Sequence, residues 1–311
     1  MDFSVSLRTV IPLLALMGAG LLSRRLGFLK AGDERVLNAY VYYFALPALF
    51  VVDLSETRFT GENLRFVAAG LIPTLVIAVL FWAAWRILRF ARSTLHLLIV
   101  STVFGSLAFF GLPFVMFAFP DAGMERLSVL SASSISAVSV GVTIFIMELH
   151  QMERTSQPFS MRTLAARFLQ NPLIISIIIG SGLSLAGLTL PVAVSRPLHM
   201  LGQTTATVAL FMLGVFFYGR AYGHLTRALL LSLLRILLLP LLSLAVAQLL
   251  GIQGMQRSVL VLMHAMPSAV SLIVLSERYE FHPELIASLV LVSSLLAVVH
   301  LNVWLHVLLA M

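Results

Sequence analysis

Cysteine is absent from this chain of 311 residues, which excludes disulfides, thiolate metal sites and covalent thiol chemistry. Charge is scarce as well. Asp, Glu, Lys and Arg together supply 11% of the residues while 60% are hydrophobic, and the mean hydropathy is +1.02. Soluble domains carry roughly a quarter charged residues, so this composition excludes an ordinary globular protein and indicates a polytopic membrane protein surrounded by a lipid bilayer. Long polar connections are missing too, which leaves no room for a soluble domain between the apolar runs. There is no Walker loop, dinucleotide fingerprint or His-Glu-x-x-His motif. No nucleophile, base and orienting group gather at one depth, so neither an enzyme nor a cofactor is expected.

The most informative shortage is of carboxylates inside the apolar runs. All thirteen acidic residues fall in loops or at span ends. A proton or sodium antiporter relies on intramembrane carboxylates to hold its coupling cation, so cation antiport is disfavoured.

Ten charge-poor runs of about 17 to 28 residues are present, each able to cross a hydrocarbon core of ~30 Å. They lie near 9–29, 36–53, 66–88, 95–119, 127–149, 166–188, 192–219, 226–250, 257–277 and 285–309. The first runs straight into Arg24-Arg25 without a small-residue cleavage site, so it is expected to stay as a span. Of the 20 basic residues, thirteen fall in odd-numbered loops and six on the opposite side, with Arg235 inside a span. By the positive-inside rule the odd loops are cytoplasmic and both termini face the periplasm of a bacterial-type inner membrane. The basic excess therefore reads as topology and not as nucleic-acid binding.

The longest polar connection, 151–165, divides the chain into two sets of five spans, 1–150 and 166–311. Five is odd, so the second set starts on the opposite side. Landmarks recur in order: Pro12 with Pro172, Pro73 with Pro240, Pro113 with Pro267, Gly18-Ala-Gly20 with Gly180-Ser-Gly182, and Ala45–Phe50 with Val208–Phe211. The expected fold is all-α, with ten transmembrane helices in two inverted five-helix repeats and with helices 4 and 9 broken.

Those two broken spans carry the chemistry. A mid-span proline deletes a backbone donor and clashes with the preceding turn, so interruptions are expected at Pro113 and Pro267. Freed backbone groups at membrane depth are tolerated only beside a cavity, and matched interruptions in two halves point to a binding site. Half-helix N-termini suit an anion such as a carboxylate. The candidate substrate-binding residues are Ser106, Gly111, Pro113, His264, Pro267, Ser268 and Ser271. The serines either face the substrate or merely cap freed carbonyls or pack between helices, and His264 either donates to an anion, relays a proton or simply packs. Arg235 is expected to snorkel to the cytoplasmic surface in preference to neutralising an anion path.

These residues also carry a resemblance. Leu37-Asn-Ala-Tyr-Val-Tyr-Tyr-Phe-Ala-Leu-Pro47-Ala-Leu-Phe50 resembles the second span of the auxin efflux carrier family, which includes plant PIN carriers and many bacterial permeases. Phe104-Gly-Ser-Leu-Ala-Phe-Phe-Gly-Leu-Pro113 is similar to its fourth, Gln170-Asn-Pro-Leu-Ile174 to its sixth, Ala209–Gly214 to its seventh, Leu234–Pro240 to its eighth and Ala265–Val270 to its ninth. The resemblance implies two inverted repeats related to the bile-acid symporter fold, forming scaffold and core domains, with helices 4 and 9 crossing at their prolines, substrate near the crossover and elevator-like alternating access. It implies organic anions as substrates, in bacteria dicarboxylates such as malonate or malate. Homodimerisation through the scaffold is an expectation from the resemblance alone. Ser106 and Ser271 stand where the family commonly has amides, so their reach is shorter. The leading expectation is a secondary carrier of small organic anions, working by uniport or linked to protons. A sodium-coupled symporter of the bile-acid type and a ligand sensor that does not translocate remain as alternatives.

Overall fold

The computed structural model describes residues 3–58, 60–119, 121–155, 161–219 and 222–311. Among these the regular structure is entirely helical. The helices are α1 (Phe3–Arg25), α2 (Asp33–Tyr40), α3 (Leu46–Glu56), α4 (Gly61–Leu88), α5 (Arg92–Val103), α6 (Leu112–Ala118), α7 (Ala122–Thr155), α8 (Met161–Leu169), α9 (Pro172–Leu185), α10 (Val192–Phe217), α11 (Leu225–Leu249), α12 (Gly254–His264), α13 (Ser271–Arg278) and α14 (Pro283–Leu309). Short π-helical turns, Val41–Ala45 and Leu107–Gly111, lead into α3 and α6. Among the described residues six continuous helical stretches are long and apolar enough to cross a membrane: Asp33–Glu56, Gly61–Leu88, Gly123–Thr155, Val192–Phe217, Leu225–Leu249 and Pro283–Leu309.

Proline chemistry explains the local departures. Both π-turns end two residues before a proline, Pro47 or Pro113, which occupies the first turn of the following helix. A first-turn residue needs no intrahelical N–H bond, so proline fits there, and the wider turn before it absorbs the ring. Pro113 therefore begins a helix, and the break expected at it lies upstream, at 104–106. Pro267 does lie in a non-helical stretch, 265–270. The expected sixth span, 166–188, is interrupted as well. Asn171 caps α9 by accepting the Leu173 N–H at 3.0 Å, and Pro172 follows at the first helical position. The expected linker 151–165 is helical at both ends, and 156–160 lies outside the described residues.

The helices gather into two compact units, each drawing on both halves of the chain. The first comprises Met1–Arg65, Leu107–Ser133 and Asn171–Arg220. Here α1 packs on α10 and α3 packs on α9 through glycines. A Cβ at Gly20 would collide with the Phe211 carbonyl, and one at Gly214 with the Met17 carbonyl. Gly180 meets the Phe50 and Val51 carbonyls in the same way, and Gly202 rests on Leu49. Small residues let backbones approach this closely where no hydrophobic effect drives helices together.

The second unit comprises Phe66–Ser106, Ser134–Gln170 and Ala221–Met311. In it α11 packs against α5, α12 and α14. Trp304 of α14 donates its Nε1–H to the Ile236 carbonyl at 3.1 Å, tying α14 to α11. At helix ends Arg154 pairs with Glu280 at 2.6 Å, and Tyr279 donates to Glu148 at 2.6 Å while Arg167 contacts both.

Candidate functional site

Two helix ends meet in the second unit. Helix α5 stops at Val103 and α12 at His264, and the extended segments that follow pair as a short antiparallel bridge between Gly105 and Ser268. Ser106 N–H donates to the Pro267 carbonyl at 2.8 Å, and Ala269 N–H donates to the Phe104 carbonyl at 3.0 Å. Each break thereby satisfies groups that the other leaves free, which is the only economical solution at a depth where water is absent. Ser293 of α14 accepts the Ser268 N–H at 3.1 Å and returns its own hydroxyl proton to the Val290 carbonyl at 3.2 Å.

Arg235 of α11 closes this arrangement. Its side chain is 1% exposed, and Nε donates to the Met266 carbonyl at 2.8 Å while Nη1 donates to the Thr102 carbonyl. Thr102 is in the last turn of α5 and Met266 lies just past the end of α12, where unpaired carbonyls carry partial negative charge and favour a cation. Nη2 lies against Gly105, and a Cβ there would overlap it. Only glycine leaves room for the guanidinium. Arg235 has no carboxylate partner among the described residues. The expectation that it snorkels to the surface is therefore corrected: the carbonyls of the breaks draw it inward.

Two histidines lie within electrostatic reach of Arg235. His264 donates from Nδ1 to the Leu260 carbonyl one turn back, at 2.9 Å. His300 of α14 lies between the Leu296 carbonyl, 2.9 Å from Nδ1, and the Ala265 carbonyl, 2.8 Å from Nε2. Its neutral ring donates to one of them, and the protonated ring to both. Two hydroxyls beside the bridge, Thr102 Oγ1 and Ser106 Oγ, are buried with no hydrogen-bond partner. Buried polar groups are nearly always paired, and these two belong to a wider set of unpartnered buried atoms that includes His264 Nε2 at the same place.

A sequence profile for membrane transport proteins matches residues 5–305. The chain belongs to this family of transporters. The resemblance to auxin efflux carriers is thus borne out. An uncharacterized transporter of Methanothermobacter thermautotrophicus is 26% identical over 98% of the chain and 99% of its own length. Another from Methanocaldococcus jannaschii is 23% identical over 96% of the chain and 98% of its own length. The uncharacterized transporter YfdV of Escherichia coli K12 is 21% identical over 96% of each.

In this transporter Ser106, His264, Pro267, Ser268 and Ser271 all lie in the second unit, whereas Gly111 and Pro113 lie in the first. Ser106 and Pro267 are bonded to each other through their backbones. Ser268 makes the bridge, and its hydroxyl only grazes the Ser101 carbonyl at 3.5 Å. Ser271 opens α13. Gly111 is buried with an ordinary helical φ of −67°, so no backbone conformation demands glycine there. Sequence reasoning gave too little weight to Arg235, Thr102, Ser293 and His300. For Arg235 the signal was present: a cation well inside a span whose other charge, Arg227, sits at its very end marks a functional position by default.

Proposed function

We propose that the protein is a secondary carrier of small organic anions, with ten spans in two inverted repeats, working by elevator-type alternating access as a uniporter or linked to protons. The observation that carries this reading is the joined pair of helix breaks with a buried guanidinium and no carboxylate. A fixed positive charge at membrane depth attracts an anion and repels sodium, which disfavours the bile-acid type of coupling. Related contacts support the repeats: in each of the paired motifs Gly18-Ala-Gly20 and Gly180-Ser-Gly182 one glycine, Gly20 or Gly180, packs on the carbonyl of the phenylalanine that closes the facing motif, Phe211 or Phe50, although the two glycines stand at opposite ends of their motifs. The two breaks likewise exchange reciprocal hydrogen bonds.

The test is transport by purified protein in liposomes, against a panel of mono- and dicarboxylates, with sodium, proton and electrical gradients imposed one at a time. The expected result is anion flux that persists without sodium. Flux that requires sodium would transfer the assignment to a symporter, and ligand binding without flux would transfer it to a sensor.

A further inference from the structure

We infer that Arg235 is the single countercharge of the translocated anion, so that the carrier accepts a solute bearing one net negative charge and rejects one bearing two. The inference rests on the carrier reading above and names the substrate charge that the same site selects. Guanidinium groups present five N–H donors in a planar fork. In Arg235 the Nε and Nη1 edges are committed to the Met266 and Thr102 carbonyls, whereas no bond from Nη2 is made among the described residues. Nη2 lies against Gly105, the residue between Phe104, which accepts from Ala269, and Ser106, whose hydroxyl has no partner. Thr102, whose carbonyl Nη1 holds, has an unpartnered hydroxyl as well. One cation edge and two hydroxyls thus stand around the bridge with donor capacity to spare. Their burial means that an anion reaches them only when the carrier opens.

Charge counting then sets the selectivity. One carboxylate on Arg235 makes a neutral pair at membrane depth. A second carboxylate would find no second permanent cation, since every other basic residue lies in a loop or at a span end. The titratable neighbours in reach are His264 on α12 and His300 on α14. Each already spends a ring N–H on a backbone carbonyl, His264 on that of Leu260 and the neutral His300 on that of Leu296 or Ala265. An unpaired charge at this depth is expensive enough to favour the singly charged solute by on the order of 100-fold. The dicarboxylates that the family resemblance implies are therefore accepted in their monoprotonated form.

The experiment measures uptake of radiolabelled benzoate, malonate and uncharged benzamide into proteoliposomes held at the same pH on both faces, across a pH series. Benzoate uptake is expected, with malonate uptake tracking the fraction of malonate that carries one charge. Arg235→Gln is expected to lower benzoate uptake about 100-fold and to erase the preference for benzoate over benzamide. Arg235→Lys keeps the preference at reduced rate, and Gly105→Ala, which displaces the guanidinium, resembles Arg235→Gln. The wild-type malonate series needs no variant and stands even if Arg235→Gln does not fold. Doubly charged malonate moving as fast as benzoate would overturn the inference while leaving the anion carrier intact. So would a malonate pH dependence abolished by His300→Gln, because the protein would then balance the second charge itself. A wild type that moves no anion in this assay or in the wider panel would overturn the carrier reading, and the inference with it.

Discussion

The two units solve the problem of helix association in lipid by different means. In the first, buried polar side chains among the described residues are few, namely Ser128, Ser131, Ser133, Asn171, Ser176 and Thr205, and helices meet where glycines let a carbonyl approach the facing backbone. The second buries a guanidinium, His96, His264, Asn302 and a long series of serines and threonines around two interrupted helices. Lipid tails are as apolar as leucine, so close backbone packing is the cheap way to build a rigid frame. Polar groups at that depth are costly and persist where they handle a solute. The contrast separates a part of the molecule shaped for packing from a part shaped for chemistry.

The largest effect expected from breaking this contrast is in the first unit. In Gly214→Leu the new Cβ collides with the Met17 carbonyl, a backbone atom that cannot turn aside. The α1–α10 pair must separate, at a cost above the usual 1 to 3 kcal/mol for overpacking, about 4 kcal/mol or more. Loss of the monodisperse peak in detergent chromatography is expected. A Gly214→Leu protein with wild-type yield and thermal midpoint would mean that close approach is not what holds the first unit.

A smaller effect is expected from a serine whose role depends on its unit. Ser293→Ala leaves the Ser268 N–H without its acceptor, a buried orphan costing about 1 to 3 kcal/mol. Ser176→Ala, in the first unit, removes only a hydroxyl bonded to the Leu173 carbonyl in its own helix, and about 0.5 kcal/mol or less is expected. Hydrogen exchange at 265–270 should accelerate in the first variant and be unchanged in the second. Equal effects would erase the distinction between the units.

Sequence reading reached part of this arrangement. The helical class and the two interrupted spans followed from hydropathy and from the positions of Pro113 and Pro267. The exact site of the first break did not, because a proline is compatible with a helix start as well as a helix stop, and the flanking glycines at 105 and 111 do not distinguish these cases. Gly105 proved to be the one that a close approach requires, which depends on Arg235, 130 positions away in the chain. The inward course of Arg235 was equally hidden. A long side chain two turns from a surface can reach water, and only the unpaired carbonyls of two other helices make the interior the better destination.

The smallest expected effect sharpens the comparison at the edge of the second unit. His282, just before α14, contacts Ser93 Oγ at 3.1 Å through Nε2. Burial holds its pKa below the ordinary histidine value, and the charges of Arg227 and His224 act in the same direction. A depressed folded-state pKa means that the unfolded chain binds the proton more readily. The stabilising contribution is therefore present above the unfolded value of ~6.5 and is lost as the pH falls through the folded value. Acidification from neutral pH should lower the thermal midpoint and speed exchange at the start of α14, while the α1–α10 pair is indifferent. In His282→Gln, which keeps a polar contact to Ser93 without a titrating group, that local slope should flatten. A slope unchanged in His282→Gln, or one shared equally by α1 and α10, would place the acid sensitivity elsewhere and remove this edge from the contrast between the units.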